Sequence, residues 1–498
     1  MIKLYDTKRR AKVEFSPTQE GKVGIYVCGP TVYNYIHIGN ARTFISFDMI
    51  RRYFVWRGYQ VCFVQNITDV DDKIITKAQE EETSAAEIAR TYTQAFIEDM
   101  RSIDVLDPDI RPKATEEIDS MIELISELIE SNHAYAVEGD VYFSVRSFPS
   151  YGELSGRKVD EMESGHRELR ADGKGLEGRK RDPLDFALWK AAKEGEPAWE
   201  SPWGSGRPGW HIECSAMSRK YLGLPFDIHG GGADLVFPHH ENERAQSEAA
   251  CSCTFANHWM HGGMLQINAE KMSKSLGNFM LLREVLKTTS APVLRMLMMQ
   301  THYRSPLDFS DERLLEAESA LGRIENAVKN ITWLIENANE GGNALNVARL
   351  NAGIDGLIRG FVSSMDDDFN TAEALGVVFS YINNMNTGLS GQSAKQGDIE
   401  VLERAKNTLI ELMAVLGVRL RVEEAEETYP VEVIKLAEEL ASYSGSDTAE
   451  AVQILLEARE EARKQKNWAL ADGVRDGFSS LGLRIEDTPQ GARIAREA

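Results

Sequence analysis

Cysteine is scarce in this chain, with five in 498 residues, at positions 28, 62, 214, 251 and 253. So few, so scattered, exclude a disulfide framework. Positive charge is also short: 56 Lys and Arg face 78 Asp and Glu, a net charge of −22. Such a chain does not coat nucleic acid over its whole surface, so any polyanion must find a local strip. No apolar run approaches the ~20 residues that span a bilayer, so no membrane is expected as a partner. The first ten residues carry charge but no apolar core segment, so no secretory leader is expected and the compartment should be the cytoplasm. Internal repeats are lacking too.

What is present suits a large soluble protein of several domains. Hydrophobic residues make up 42 % of the chain, an ordinary value for a globular core. The stretch from Tyr26 to Phe44 organises the first half. Val23 to Val27 reads as a buried strand stopped by Gly29-Pro30. From Ala41 the residues Phe44, Phe47, Ile50 and Phe54 recur at helical spacing until Gly58. His37-Ile38-Gly39-Asn40 then falls on a first helical turn, where free N–H groups and the helix dipole favour a phosphate. Gly39 allows close approach, and His37 and Asn40 can donate hydrogen bonds to a phosphoryl oxygen. Cys28 stands at the strand's carboxyl end, where ligands bind in open α/β sheets.

Val61 to Gln65 reads as a second buried strand. The acidic run from Asp69 to Asp72 suits a helix start better than a metal, and Thr68 lies where a substrate could touch it. Helices are expected at about 84–103 and 115–131, and a hairpin around Glu138-Gly139-Asp140. Tyr151 to Pro208 shows little periodicity and reads as an insertion of long loops. Trp210 opens the next helix. Phe226 to Asp234 reads as a strand ending in Gly230-Gly231-Gly232, open to a flat ring or ribose, with Asp234 able to accept from a sugar hydroxyl. From Ser310 the pattern changes to long amphipathic helices, about 311–337, 345–362, 371–386 and 399–416, a helical bundle. An acidic linker from Arg421 to Pro430 precedes a small domain of helices with a short extended segment at 483–485. Its last 48 residues carry eight cations and eight anions, the surface least repulsive to a polyanion.

Two further patterns carry chemistry. Lys271-Met272-Ser273-Lys274-Ser275 is a cationic loop able to clamp a triphosphate, and arises by chance in on the order of one in thousands of chains this long. Cys28, Cys214, His239 and Glu243 offer two thiolates, an imidazole and a carboxylate, a donor set for tetrahedral Zn2+. His239 and Glu243, four apart on an expected helix, share a face. Their spacing leaves alternatives open: His239 can cap its helix, Cys214 can be core, and Cys251-x-Cys253 is a rival donor pair.

His-Ile-Gly-Asn and Lys-Met-Ser-Lys-Ser together resemble the two signatures of class I aminoacyl-tRNA synthetases, with Asn40 where a second histidine is usual. Within that class the chain resembles the cysteinyl-tRNA synthetase family over nearly its whole length. Asn66 to Lys73, Trp210 to Ser215, His229 to Asp234, Phe237 to Glu243 and Glu461 to Gly491 all carry the likeness. The resemblance implies an α/β Rossmann-like catalytic domain with a parallel sheet, then an α-helical bundle and a small α+β C-terminal domain. The divisions expected are residues 1–265 with a connective insertion at about 115–208, a stem-contact region at 266–310, the bundle at 311–420 and an anticodon-binding domain at 428–498. It implies activation of L-cysteine with ATP and Mg2+ to cysteinyl-adenylate, then transfer to tRNA(Cys), with one Zn2+ per chain on Cys28, Cys214, His239 and Glu243 reading the substrate thiolate.

By the same resemblance His37, Gly39, Asn40, Gly230, Asp234, Lys271, Ser273 and Lys274 bind ATP. His37, Asn40, Lys271 and Lys274 do so as catalytic groups. Thr68 and Trp210 shape the cysteine pocket, and Arg463, Trp468, Asp472 and Asp487 meet the anticodon. A monomer is expected. At Ala492-Arg493-Ile494 the sequence departs from the family's usual tryptophan and basic end. Two other functions compete: a cysteine-adenylating ligase acting on an amino sugar, which lacks the C-terminal domain, and a non-catalytic RNA-binding relative, which tends to lose signature residues.

Overall fold

The computed structural model describes residues 1–159, 179–267, 270–271, 280–421, 429–488 and 491–496. The chain divides into two compact units. One comprises Met1–Leu321, Arg359–Val377 and Leu412–Arg419, the other Gly322–Ile358, Val378–Glu411 and Leu420–Ala498.

The first unit is built on a parallel four-stranded sheet in the spatial order Ala256–Gly262, Phe226–Gly232, Lys22–Val27, Gln60–Gln65. Sequence order reverses between Lys22–Val27 and Phe226–Gly232, a topological switch point of the kind beside which open α/β sheets bind ligands at the strands' carboxyl ends. Val23 to Val27 is mostly buried and reads as an apolar run, whereas Phe226–Gly232 is buried although it carries Asp227 and His229. The helix Ile38–Trp56 returns from the first strand and buries Phe44, Phe47, Ile50 and Phe54. It begins at Ile38, so His37 to Asn40 fall on the first turn as expected. His37 and Asn40 form a reciprocal capping box that supplies the first turn with its hydrogen bonds. It ends at Gly58, whose left-handed φ of +89° a side chain would strain.

Asp71 caps the helix Asp72–Glu80, accepting from Lys73 N at 2.9 Å, so the acidic run does serve a helix start. The insertion differs from expectation. Ala134–Val137 and Asp140–Phe143 form the expected hairpin, but within Tyr151 to Pro208, expected as long loops, the strands Phe186–Ala191 and Gly206–Pro208 extend it into a four-stranded antiparallel sheet. Phe186 to Trp189 are buried on both faces, so the alternation that marks a strand is missing from the sequence. Pro208 is tolerated because Gly206–Pro208 is an edge strand. Three short strands, Glu270–Lys271, Leu265–Ile267 and Leu307–Phe309, form a separate sheet. Met272 to Ser275 lie outside the described residues.

The long helices run Asp311–Glu336, Val347–Asp366, Thr371–Leu389 and Ile399–Val415. Wholly within the second unit, helices Glu432–Ala441, Thr448–Lys464 and Trp468–Ser480 pack around Val433, Leu455, Val474 and Phe478. The extended segment expected at 483–485 is longer: Leu483–Thr488 pairs antiparallel with Gly491–Arg496, and Ile485 faces Ile494. Ala492 and Ile494, where the sequence departs from the family pattern, are thus parts of a strand. Among the described residues no helix is long and apolar enough to cross a membrane.

Candidate active site and metal centre

The four candidate metal ligands converge at the switch point. Cys28 immediately follows Lys22–Val27, and its N–H donates to Gly230 O of the neighbouring strand at 3.2 Å. Cys214 is the fifth residue of helix Trp210–Leu222, within the helix rather than at a sheet boundary. His239 lies in the turn before helix Glu241–Cys251, and Glu243 in that helix's first turn. Their donor atoms all lie within 4.8 Å of one another, and all four side chains are buried. Cys28 Sγ is 3.6 Å from Cys214 Sγ and 3.4 Å from Glu243 Oε1, and His239 Nε2 is 2.9 Å from Glu243 Oε1. A tetrahedral ion with Zn–S bonds of ~2.3 Å would set its two sulfurs ~3.8 Å apart, close to the spacing present. The donor set therefore fits a metal. Cys251 and Cys253, the rival pair, are joined to each other as a disulfide.

The electrostatics of the cluster point the same way. Burial drives the Cys28 thiol well above its ordinary pKa, helped by Cys214 and Glu243. Burial also acts upward on Cys214, but hydrogen bonds with Cys28 and His239 outweigh it and bring the thiol to about 6. Burial acts downward on His239, yet Glu243 and Cys214 raise it to about 10. Glu243 stays well below the usual carboxylate range against its burial because His239 and His229 face it. The cluster thus holds a thiolate, a carboxylate and an imidazolium. A divalent cation would take the place of the imidazolium proton and the second thiol proton.

A ring of further histidines surrounds the ligands, and the sequence reading missed it. His211 Nδ1 meets His239 Nδ1 at 2.9 Å, which fixes how His239 presents Nε2. His229 Nε2 holds Glu243 Oε2 at 2.8 Å, and His240 Nε2 lies 3.3 Å from Cys28 Sγ. His240 Nδ1 reaches His261 Nε2 at 2.8 Å, and Thr7 Oγ1 bonds His261 Nδ1 at 2.7 Å. Burial holds His211, His240 and His261 below the ordinary imidazole value, His261 at about 3. Cys28, His229, His240 and Glu243 form a second donor set sharing two members with the first. The signal lay in His229 within the strand Phe226–Gly232 and in the adjacent pair His239-His240, but nothing in their spacing tells that they meet.

Trp210 stacks on His239, with ring centroids 4.1 Å apart and planes at 24°. Thr68, at the carboxyl side of Gln60–Gln65, is buried and donates to Glu213 Oε2 at 2.7 Å. At the start of helix Ile38–Trp56, Asn40 N donates to His37 Nδ1 at 3.2 Å, which leaves the ring proton on Nε2. Asn40 Oδ1 accepts from His37 N at 3.3 Å, a bond that uses the amide oxygen and not its NH2 group. Gly39 sits between them in the first turn.

The glycine run serves the protein's own packing as well as any ligand. A Cβ on Gly230 would run into the Phe47 ring, and one on Gly231 would come within 2.7 Å of His240. Asp234 is exposed in the turn that follows. Lys271 ends a short strand, whereas Ser273 and Lys274 lie outside the described residues.

Within the second unit, Arg463 Nη1 donates to Asp487 Oδ2 at 2.8 Å, and Arg459 donates to both oxygens of Asp487. Asp472 pairs with Arg475 at 3.0 Å. Three of the four expected anticodon residues are therefore engaged in ion pairs within the domain. Trp468 is 58 % exposed and so is no core residue.

Comparison with known proteins places this geometry. The profile of the tRNA synthetases class I (C) catalytic domain matches residues 14–319, and that of the DALR domain matches 360–421. The cysteine–tRNA ligase of Desulforamulus reducens is 47 % identical over 504 aligned residues, covering 100 % of both chains. That of Fusobacterium nucleatum is 48 % identical over 98 % of each. Among solved structures, Mycobacterium tuberculosis methionyl-tRNA synthetase with methionyl-adenylate superposes at a TM-score of 0.58. It is 16 % identical, covering 80 % of this chain and 90 % of that one, a likeness of fold alone. With full-length relatives at this identity, the chain belongs to the cysteine–tRNA ligase family of class I tRNA synthetases.

Proposed function

We propose that the chain activates L-cysteine with ATP, releasing pyrophosphate, and transfers cysteine from the adenylate to the 3′ end of tRNA(Cys). The carrying observation is the buried cluster of Cys28, Cys214, His239 and Glu243 at the switch point, in a chain 47 % identical to a cysteine–tRNA ligase from end to end.

The cleft must choose cysteine over serine and alanine, and shape alone discriminates poorly: one methylene is worth ~1–3 kcal/mol. Cys28, Cys214, His239 and Glu243 would hold Zn2+. A zinc ion there supplies an electrophile that bonds a thiolate and has little affinity for a hydroxyl or methyl. Trp210, stacked on His239, closes the pocket around the substrate's short side chain. His211 and His229 keep the imidazole and the carboxylate aimed at the cluster.

Activation is an in-line attack of the cysteine carboxylate on the α-phosphorus of ATP. It asks for alignment and charge stabilisation rather than covalent help. His37 Nε2–H, Asn40 Nδ2–H and the backbone at Gly39 receive the phosphates at the helix N-terminus. Asp234 takes a ribose hydroxyl beside the glycine run at Gly230. Lys271, Ser273 and Lys274 bind the β- and γ-phosphates and, with Mg2+, the departing pyrophosphate. The anticodon domain at 428–498 presents Trp468 to an unstacked base, while Arg463, Asp472 and Asp487 shape the surface around it. The catalytic domain at 1–265, stem-contact region at 266–310 and bundle at 311–420 complete a cytoplasmic monomer.

Cysteine-dependent ATP–pyrophosphate exchange followed by charging of tRNA(Cys) tests the assignment. Exchange driven equally by serine, or exchange with no charging, would overturn it.

A further inference from the structure

The start of helix Ile38–Trp56 is tied to the chain on both sides of the Lys-Met-Ser-Lys-Ser sequence. On the far side the ties are backbone ones. Ile38 N donates to Met280 O and Leu282 N to Ile36 O, each at 3.1 Å, and His37 forms an antiparallel bridge with Leu281. On the near side the tie is a side chain. Arg42, one turn along the helix from Ile38 and on the same face, is 2 % exposed. Its Nη1 donates to Gly263 O at 3.0 Å and to Met264 O at 2.7 Å, and its Nη2 donates to Ser305 O.

One guanidinium thus grips two separate stretches of chain. Met264 leads directly into strand Leu265–Ile267, and Ser305 precedes Leu307–Phe309, its parallel partner. On its other edge Leu265–Ile267 pairs with Glu270–Lys271, Gln266 facing Lys271. Gly263 leaves the two stretches room to meet, because a Cβ there would run into Ser305 O and Arg304 O.

A buried cation ordinarily faces a carboxylate. Among the described residues Arg42 bonds only to backbone carbonyls. Burial lowers its pKa to about 10, which still leaves it charged at neutral pH. Apolar side chains pack a helix on a sheet at less cost, so a lone guanidinium here calls for a reason beyond packing.

We propose that Arg42 is a positioning residue for cysteine activation, clamping the strands that carry Lys271 to the helix start that receives the nucleotide's phosphates. The inference rests on the reading above, in which His37 and Asn40 meet phosphates and Lys271 meets the departing pyrophosphate. A planar fork of five donors fixes two chain segments in one register, as a lysine's point charge does not. An error in the spacing of helix and strand is felt at the reacting phosphorus, where a misplacement of ~1 Å can cost ~100-fold.

The test uses full-length, metal-loaded enzyme in pyrophosphate exchange and, separately, in transfer of cysteine from added cysteinyl-adenylate to tRNA(Cys). Arg42→Gln should lower the kcat of exchange ~10- to 100-fold. The KM for cysteine, the bound metal and the transfer rate should stay within ~3-fold of wild type. In a Lys271→Ala background no lysine is left to position, so Arg42→Gln should cost less than ~3-fold more. Arg42→Lys keeps the charge and loses the fork, so it should show the same split between exchange and transfer.

Exchange and transfer slowed alike, or losses from Arg42→Gln and Lys271→Ala that simply multiply, would reduce Arg42 to holding the fold and overturn the proposal. Wild-type exchange by either Arg42 variant would overturn it too. If Arg42→Gln does not fold, Arg42→Lys decides, the split supporting the proposal and its absence overturning it. Failure of the phosphate reading would show separately, as wild-type exchange by Lys271→Ala alone, and the proposal would fall with it.

Discussion

Cys28 Sγ and Cys214 Sγ stand 3.6 Å apart across 186 residues of chain, and neither is in a disulfide. The parallel sheet brings them together: one follows a strand at the switch point, and the other rides the helix leading into the next strand. With Glu243 and His239 completing the group, selectivity for sulfur should depend on an ion held there.

Stripping the metal with a chelator should therefore collapse the preference for cysteine over serine in pyrophosphate exchange. It should fall to the ~10- to 200-fold that pocket shape can supply. Added Zn2+ should restore it. Cys214→Ser should lower bound metal and discrimination together, and retained discrimination in metal-free protein would refute the role of the cluster.

The second lysine of the Lys-Met-Ser-Lys-Ser sequence should act on chemistry and not on metal. Lys274→Ala should slow pyrophosphate exchange by ~100-fold or more, the scale of removing one charge-stabilising group. Its zinc content should remain one per chain. An unchanged exchange rate would remove Lys274 from the reaction.

Asp72 gives a pH-dependent prediction. It accepts from Lys190 Nζ at 2.7 Å and pairs with Arg207, which is itself 3 % exposed. Burial acts to raise its pKa, but these two cations outweigh it and hold the carboxyl at about 2, below its ordinary 3.8. A depressed folded-state value stabilises the fold above the unfolded pKa, and that stabilisation is lost as pH falls toward the folded value. Asp72→Asn should cost ~2 kcal/mol in urea unfolding at pH 6. The gap from wild type should narrow steadily below about pH 4. A gap constant from pH 6 to pH 3 would show that the ion pairs are not its source.

Trp468 should separate the two half-reactions. Because it is 58 % exposed, Trp468→Ala should shift folding stability by no more than ~0.5 kcal/mol. Cysteine activation should be unaffected. Charging efficiency with tRNA should fall roughly 10-fold or more, since stacking on a base is worth ~1–3 kcal/mol. Unimpaired charging would leave this tryptophan without a role in recognition.

Much of this organisation was legible in the residues. The first strand, its glycine stop and the following helix are written in apolar spacing, and the helical second half in uninterrupted 3.6-residue periodicity. The four ligands were found by donor chemistry and resemblance, not by spacing, since no local clip joins them. What escaped notice shares a cause: it depends on neighbours distant in sequence. The strand Phe186–Ala191 is buried on both faces and so lacks alternation. Gly230 and Gly231 looked like room for a ligand, but Phe47 and His240 already press against them. His229 comes from the middle of one strand, His261 from near the end of the next and His240 from a turn, and only the assembled sheet unites them. Arg463 and Asp487, expected to meet bases, sit 24 residues apart and pair with each other.

The order in which the sheet is threaded bears on synthesis. Cys28 leaves the ribosome before the insertion does, and Glu243 emerges only after the whole insertion has been made. Until then the four-donor group lacks its carboxylate. Any fragment ending short of that glutamate should ignore cysteine, however well its first strands have formed.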